Sequence, residues 1–279
     1  MIGRKGEAVV DAQPRTVQGD KVALHLENLH VDMPGEAVHG ITLDVYEGEI
    51  LGIGGLAGQG KMGIPNGVMG LYDVEGSVEL FGQPLKVGNT TEALQASIAM
   101  VSEDRKGVGR LLDQAIEDNI VFNAMQVRGD FLNKFGPFTL KNTKAIRENA
   151  EKMIKDLDIR SFGPTQASGT LSGGNQQKVC IARALCMNPK FLFVSEPTRG
   201  IDIGAKKLVL ETLVKLNREQ GMTVVIVSSE LQELRSISDR IAIVSEGELV
   251  EILSPNASDA DFGLAMSGIK PSEHNKKEG

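Results

Sequence analysis

Five short runs of unbroken apolar character constrain this chain more than any other feature of its sequence. They are EILGIGGL (49–56), ASIAMVSE (96–103), FLFVSE (191–196), TVVIVSS (223–229) and RIAIVSE (240–246). A strand with one wet face alternates polar and apolar residues, whereas a strand covered on both faces does not. Between the last three runs lie stretches at helical spacing, GAKKLVLETLVKLNREQG and ELQELRSISD. Strand alternating with helix predicts an α/β fold, with a parallel sheet covered on both sides.

The remainder is organised around that core. Early strands with one apolar face, such as KVALHLENLHV with Val22, Leu24 and Leu26, GITLDVYEGE and GSVELFGQPL, predict a small antiparallel sheet. IEDNIVFNAMQV and TKAIRENAEKMIKDLDIR read as helices with no strand between them, a helical insertion within 116–160. Residues 1–20 read as a polar lead-in, and PSEHNKKEG from Pro271 onward as disordered. The expected division is 21–109 for the antiparallel sheet and the first part of the core, and 110–168 for the helical part. Residues 169–253 then complete the core, and 254–279 form an extension with a disordered tail.

The chain has 279 residues, is 41% hydrophobic and 24% charged, and carries a net charge of −7. That charge lacks the basic field a nucleic-acid surface needs. No apolar run approaches the roughly 20 residues that span a bilayer, and MIGRKGEAVVDAQPRTVQGD lacks a signal peptide's apolar stretch. The expected location is the cytoplasm, with membrane association only through a partner. Cys180 and Cys186 fall in one helical stretch and read as buried thiols rather than a metal site or a bridge. No histidine falls between residues 40 and 273.

After the strand ILGIG comes Gly55-Leu-Ala-Gly58-Gln59-Gly60-Lys61-Met62. The spacing is that of G-x-x-x-x-G-K-[ST] except at the last position. Glycines let such a loop curl so that backbone N–H groups point at phosphates, while the lysine adds charge. The last position should offer a hydroxyl to Mg²⁺, and Met62 offers only a thioether. Pro65 and Gly67 predict a short or distorted helix behind the loop. Two other readings stay open at this level: Gly52-Ile-Gly54-Gly55-Leu-Ala57 satisfies a loose dinucleotide fingerprint, and the glycines could serve only a tight turn.

Further on, Leu171-Ser172-Gly173-Gly174-Asn175-Gln176-Gln-Lys opens a helix, with Ser172 placed as its N-cap. Alone this permits an ordinary capped helix. The order decides: LSGGNQQK, a helix, an apolar strand ending in Glu196-Pro-Thr, then Ile201-Asp202. In this order the chain resembles the ATP-binding cassette (ABC) ATPases from about Val22 to Leu253. VSEDRKG (101–107), LSGGNQQK, EPTRGIDIGAK (196–206) and SSELQEL (228–234) resemble the second cassette of bacterial importers of the ribose, galactose and xylose type.

The resemblance implies a RecA-like core with ATP as ligand and assigns roles by position. Gly55 to Met62 would be the phosphate loop (Walker A). The strand ending at Ser195 and Glu196 would be Walker B, with Glu196 as catalytic carboxylate. Glu103 stands at the glutamine-loop position, Leu171 to Gln176 form the signature, Asp202 lies in the D-loop, and Ser229 sits where the family has its switch histidine. Mg²⁺ is normally held by the loop Ser/Thr and the Walker B Asp; here Met62 and Ser195 replace them, implying a weak or absent metal. Cassettes pair so that each ATP lies between one Walker A and the other's signature. The implied partners are therefore a second cassette, membrane permease subunits and, indirectly, a substrate-binding protein, with no nucleic acid. The expected result is a degenerate own site beside an intact donated signature. Alternatives at this level are a nucleoside importer cassette, a soluble cassette acting in translation or on DNA, and a scaffold that binds no nucleotide.

Overall fold

The computed structural model describes residues 10, 12, 14, 15, 21–103 and 112–274. The first segment carries β1 (Val22–Val31), β2 (Val38–Tyr46), β3 (Ile50–Gly54), α1 (Gly63–Val68), β4 (Val74–Leu80), β5 (Gln83–Pro84), α2 (Thr90–Gln95) and β6 (Ile98–Val101). The middle carries α3 (Ile116–Arg128), β7 (Leu132–Phe135), β8 (Phe138–Lys141), α4 (Thr143–Asp156) and α5 (Gly173–Leu185). The last carries β9 (Phe191–Ser195), α6 (Ile203–Gln220), β10 (Thr223–Val227), α7 (Leu231–Ile237), β11 (Arg240–Ser245), β12 (Glu248–Leu253), α8 (Asp259–Met266) and α9 (Pro271–His274).

All five apolar runs enter one sheet, in the order β12-β11-β3-β10-β9-β6, with only the edge pair β11–β12 antiparallel. Their continuous apolar character follows from burial on both faces. Along β10, Val224 and Ile226 enter the core on the helical side, while Val225 and Val227 enter the core beneath the antiparallel sheet. β9 behaves alike, with Leu192 and Val194 on one side and Phe191 and Phe193 on the other. Burying each such side chain is worth roughly 1.5–3 kcal/mol, so a slip in register that aimed them at loops would be costly. The second sheet is antiparallel, in the order β2-β1-β4-β5.

Two expectations need correction. A strand pair, β7–β8, lies between the two insertion helices, where none was expected. Gly136 at φ +57° and Pro137 make the turn, and Phe135, Phe138 and Leu140 remain exposed while only Leu132 packs against the core, so the pair leaves little periodic mark. The expected disorder from Pro271 is also wrong at its start, because Pro271–His274 forms α9; residues 275–279 lie outside the described set. Most of the 1–20 lead-in, and Arg105 to Gly107 of VSEDRKG with Asp104, also lie outside it. The described lead-in residues touch the core: Ala12 N donates to Ser236 O at 3.2 Å and Arg15 N to Asp239 at 2.7 Å.

Candidate functional site

β3, β10 and β9 run parallel in register, Ile53 beside Val227 and Val227 beside Ser195. Their C-terminal ends therefore deliver the Gly55–Met62 loop, Ser229 and Glu196 to one edge of the sheet, where ligands of α/β folds bind. Gly52 and Gly54 are part of β3, not of the loop. A Cβ at Gly52 would lie 2.7 Å from Ser238 Oγ, and one at Gly54 3.0 Å from Leu234, so these glycines let α7 settle against the strand. The dinucleotide fingerprint is thereby accounted for by packing.

The loop is built for close backbone approach. Gly55 has φ +152°, and a Cβ there would lie 2.3 Å from the carbonyl oxygen of Val244. Gly58 and Gly60 have φ of +77° and +97°, left-handed backbone that favours glycine. Gln59 anchors the loop to the β11–β12 turn: its side-chain oxygen accepts from Glu246 N at 2.7 Å, and its carbonyl from Gly247 N at 2.9 Å. Helix α1 behind the loop is short and contains Pro65, as expected.

The loop's N–H groups already hold an oxyanion. Glu36, from the β1–β2 connection, accepts from Gly58 N on Oε1 at 2.8 Å, and from Gly60 N and Met62 N on Oε2 at 2.9 and 3.1 Å. A curled run of amides that binds one carboxylate has the shape and polarity to bind phosphate oxygens. Lys61 is 1% exposed and donates from Nζ to the loop's own Leu56 carbonyl at 2.9 Å.

Metal-binding groups fit poorly. Met62 is buried and packs with the apolar residues under the antiparallel sheet. Ser195 is fully buried, and its Oγ has no hydrogen-bond partner. Mg²⁺ demands hard oxygen ligands in near-octahedral array, and a thioether with one hydroxyl does not offer them. Among the described residues no cluster of three or more His, Cys, Asp or Glu is poised to hold a metal. Glu103 is half-buried and its Oε2 accepts from Ser102 Oγ at 3.2 Å; among the described residues no hydrogen bond or ion pair joins it to Lys61 or Glu196.

Glu196 is 8% exposed and adopts φ +45°, left-handed backbone that costs a non-glycine residue energy and tends to occur at functional sites. Its Oε1 accepts from Ser229 N at 2.8 Å and Ser229 Oγ at 2.6 Å. Ser229 thus holds one oxygen of the Glu196 carboxylate through both its backbone amide and its hydroxyl. Behind it lies a network that sequence reasoning missed. Glu233 on α7, fully buried, accepts from Thr198 Oγ1, from Ser228 Oγ at 3.0 Å and from Lys206 Nζ at 3.2 Å; Lys206 also pairs with Glu230. Burial, together with the nearby Glu230 charge, pushes the Glu233 carboxyl above its ordinary range despite the Thr198 and Lys206 contacts. Only the spacing of Glu233 within SSELQEL hinted at it, because burial of a carboxylate on a helix cannot be read from composition.

The signature residues and Asp202 form a second, separate group. Ser172 occupies the N-cap of α5, but its hydroxyl caps no backbone amide; it accepts from the Asn175 side chain at 2.9 Å. Asn175 Oδ1 in turn accepts from Arg160 N at 2.9 Å, and Gln176 donates to Leu171 O at 2.8 Å. Asp202 caps α6 by accepting from Ala205 N at 2.9 Å. Gly173 opens α5, and a Cβ at Gly174 would lie 2.6 Å from the Ala205 Cβ, so Gly174 lets the two helix starts meet. Ser172, Asn175 and Asp202 line one cleft of about 410 Å³. No hydrogen bond or ion pair among the described residues links this group to Lys61, Met62, Ser195 or Glu196. A larger cavity of about 800 Å³ lies between α4 and α6 and is lined by none of these residues.

A glycine-rich anion loop after a central parallel strand, a carboxylate ending the next strand but one, and a signature helix define a nucleotide-binding cassette. The chain belongs to the ABC transporter family, which matches over residues 38–199, and it is an ATPase domain of that family. It is 36% identical to the ribose import ATP-binding protein of Caldanaerobacter subterraneus subsp. tengcongensis, over 88% of this chain and 48% of that protein. It is 32% identical to the nucleoside import ATP-binding protein of Lactococcus lactis subsp. cremoris, over 96% of this chain and 52% of that protein. The chain thus spans about half the length of these relatives. The fold is that of a dimeric ATP-binding cassette solved in a post-hydrolysis state with ADP and Pi (TM-score 0.68, 24% identity, 84% of this chain and 100% of that one). Among the described residues no helix is long and apolar enough to cross a membrane.

Proposed function

We propose that this chain is the ATP-binding cassette of a sugar importer, with a degenerate nucleotide site of its own and a signature that it lends to a partner cassette. The asymmetry between its two groups of residues carries the reading. On the phosphate side, Met62 is buried in apolar surroundings, Ser195 presents an orphaned hydroxyl, and Ser229 replaces a histidine and holds Glu196. On the other side, Ser172, Asn175 and Asp202 line one cleft, each with its side chain held by a hydrogen bond: Ser172 by Asn175, Asn175 also by Arg160 N, and Asp202 by Ala205 N. ATP would be gripped by the Gly55–Met62 amides and Lys61, with Mg²⁺ weak or absent and hydrolysis slow. Turnover would take place at the partner's phosphate loop, completed by this chain's signature and used to drive import through permease subunits at the inner face of the membrane. The division into 21–109, 110–168 and 169–253 belongs to this reading, as does supply of substrate by a binding protein. Nucleoside import is the second reading, favoured by the nucleoside relative alone.

The purified chain is expected to show negligible ATPase activity that does not change on Glu196→Gln. Robust Mg²⁺-dependent turnover that disappears in that variant would overturn the degenerate-site reading.

A further inference from the structure

We infer that Glu36 is a built-in competitor for nucleotide phosphate: its carboxylate fills the cradle and must leave before a polyphosphate can enter. The inference rests on reading Gly55–Met62 as the nucleotide loop. Three backbone amides converge on this one side chain, two of them on the same oxygen. Hydrogen bonds to an ionised acceptor are about twice as strong as neutral ones. The donors are also those a phosphate would need, so the two occupants exclude each other.

The carboxylate is delivered, not left to chance. The β1–β2 connection closes through a turn in which Glu36 N donates to Met33 O at 3.0 Å, with Gly35 at φ +77°. The same connection lies against the loop: a Cβ at Gly63 would stand 2.2 Å from Glu36 O, and one at Gly60 2.5 Å from Ala37 O. A group tethered this closely acts at high effective concentration, far above that of a free anion. Lys61 completes the closed arrangement. Its ammonium donates to Leu56 O, and no carboxylate pairs with it among the described residues. Three amides of the phosphate site and one donor of its cation are thus engaged within the chain.

Apparent affinity falls in proportion to the fraction of molecules whose site is open. A cradle closed nine-tenths of the time weakens ATP binding about tenfold. Calorimetric titration of ATP, inorganic pyrophosphate and adenosine into the wild type, Glu36→Ala and Glu36→Gln tests this. Both variants are expected to bind ATP and pyrophosphate about tenfold more tightly, with adenosine unchanged. Folded variants that bind ATP and pyrophosphate no more tightly than wild type overturn the inference. The unaltered chain gives a second measurement should a variant fail to fold. Pyrophosphate should shift the Glu36 carboxyl carbon resonance together with the Gly58 and Gly60 amides; amide shifts without the carboxyl shift, or no shift at all, refute it. Tighter binding together with Glu196-dependent turnover would retain this inference and discard the degenerate-site reading. Unchanged binding without turnover would do the reverse.

Discussion

Glu233 offers the sharpest test of how this structure is held together around its site. Replacing it with alanine removes a fully buried carboxylate from Thr198, Ser228 and Lys206 at once. Thr198 and Ser228 are each 1% exposed, so their hydroxyls would lose a partner in a place where water does not readily replace it. Breaking a buried ion pair by deleting one partner costs about 3–5 kcal/mol. Lys206 keeps Glu230 and is 18% exposed, which places the expected cost at the lower end, about 3 kcal/mol. At about 2 °C per kcal/mol for a chain of this size, the melting temperature should fall by about 6 °C. Glu233→Gln behaves differently, because an amide oxygen in the Oε1 position can still accept from Thr198 and Lys206 while the amide nitrogen donates to Ser228 Oγ. Its penalty should be under about 1 kcal/mol at pH 7. The pH dependence follows from the raised carboxyl, whose ordinary value is 4.5. Between that value and the raised one the folded chain binds more protons than the unfolded chain, so stability falls as pH rises. The contribution is fully present below 4.5 and lost as pH climbs through the folded value. The wild type should therefore be further ahead of Glu233→Gln at pH 4.5 than at pH 7, as read by thermal melts at both. An alanine variant that melts within 1 °C of wild type, or a glutamine penalty that grows with pH, would refute the reasoning.

Two smaller predictions concern other places. His25 Nδ1 lies 2.6 Å from Asp44 Oδ1, and that hydrogen bond raises the imidazole above its ordinary 6.5. NMR titration should show this, Asp44→Asn should return the value toward 6.5, and the pair's contribution, present below 6.5, should fade as pH rises through the folded value. Gly174→Val should force α5 from α6, because even a Cβ there would lie 2.6 Å from Ala205. Overpacking of this kind costs about 1–3 kcal/mol, and stimulation of a partner cassette's ATPase should be lost while ATP binding by this chain stays unchanged.

The parallel sheet was legible because burial on both faces leaves a plain mark: Leu192 to Val194 and Val224 to Val227 have no polar interruption. The curled Gly55–Met62 loop was legible through its glycines and lysine, and the helix start at Leu171–Gln176 through the LSGGNQQK run. What escaped the sequence was everything that depends on long-range side-chain placement. Glu36 lies 22 and 24 residues before the Gly58 and Gly60 amides and looks like any turn carboxylate, yet the β1–β2 pairing aims it at them. Ser172 sits where a cap was expected, but a neighbouring asparagine competes for its hydroxyl. The β7–β8 hairpin escaped for the opposite reason: Phe135, Phe138 and Leu140 stay outside and only Leu132 at its start packs on the core, too little to mark a strand pattern.

The Glu36 contact also bears on what opening the site would require. The close approaches between the β1–β2 connection and the loop are made by backbone, Glu36 O against Gly63 and Ala37 O against Gly60, whereas the cradle is filled by a side chain. Those backbone packings can stay in place while the carboxylate swings out. Side-chain rotation of an accessible residue takes picoseconds to nanoseconds, far faster than loop or domain rearrangement, and Glu36 is half-buried rather than enclosed. Exchange of carboxylate for phosphate is therefore a local event that leaves the sheet edge, Gln59's anchor on the β11–β12 turn and the signature cleft undisturbed. On the proposed reading, the chain would present Leu171–Gln176 to a partner in the same geometry whether its own cradle holds Glu36 or a nucleotide. If so, Glu36→Ala should alter this chain's nucleotide affinity and leave its stimulation of a partner cassette at saturating ATP unchanged.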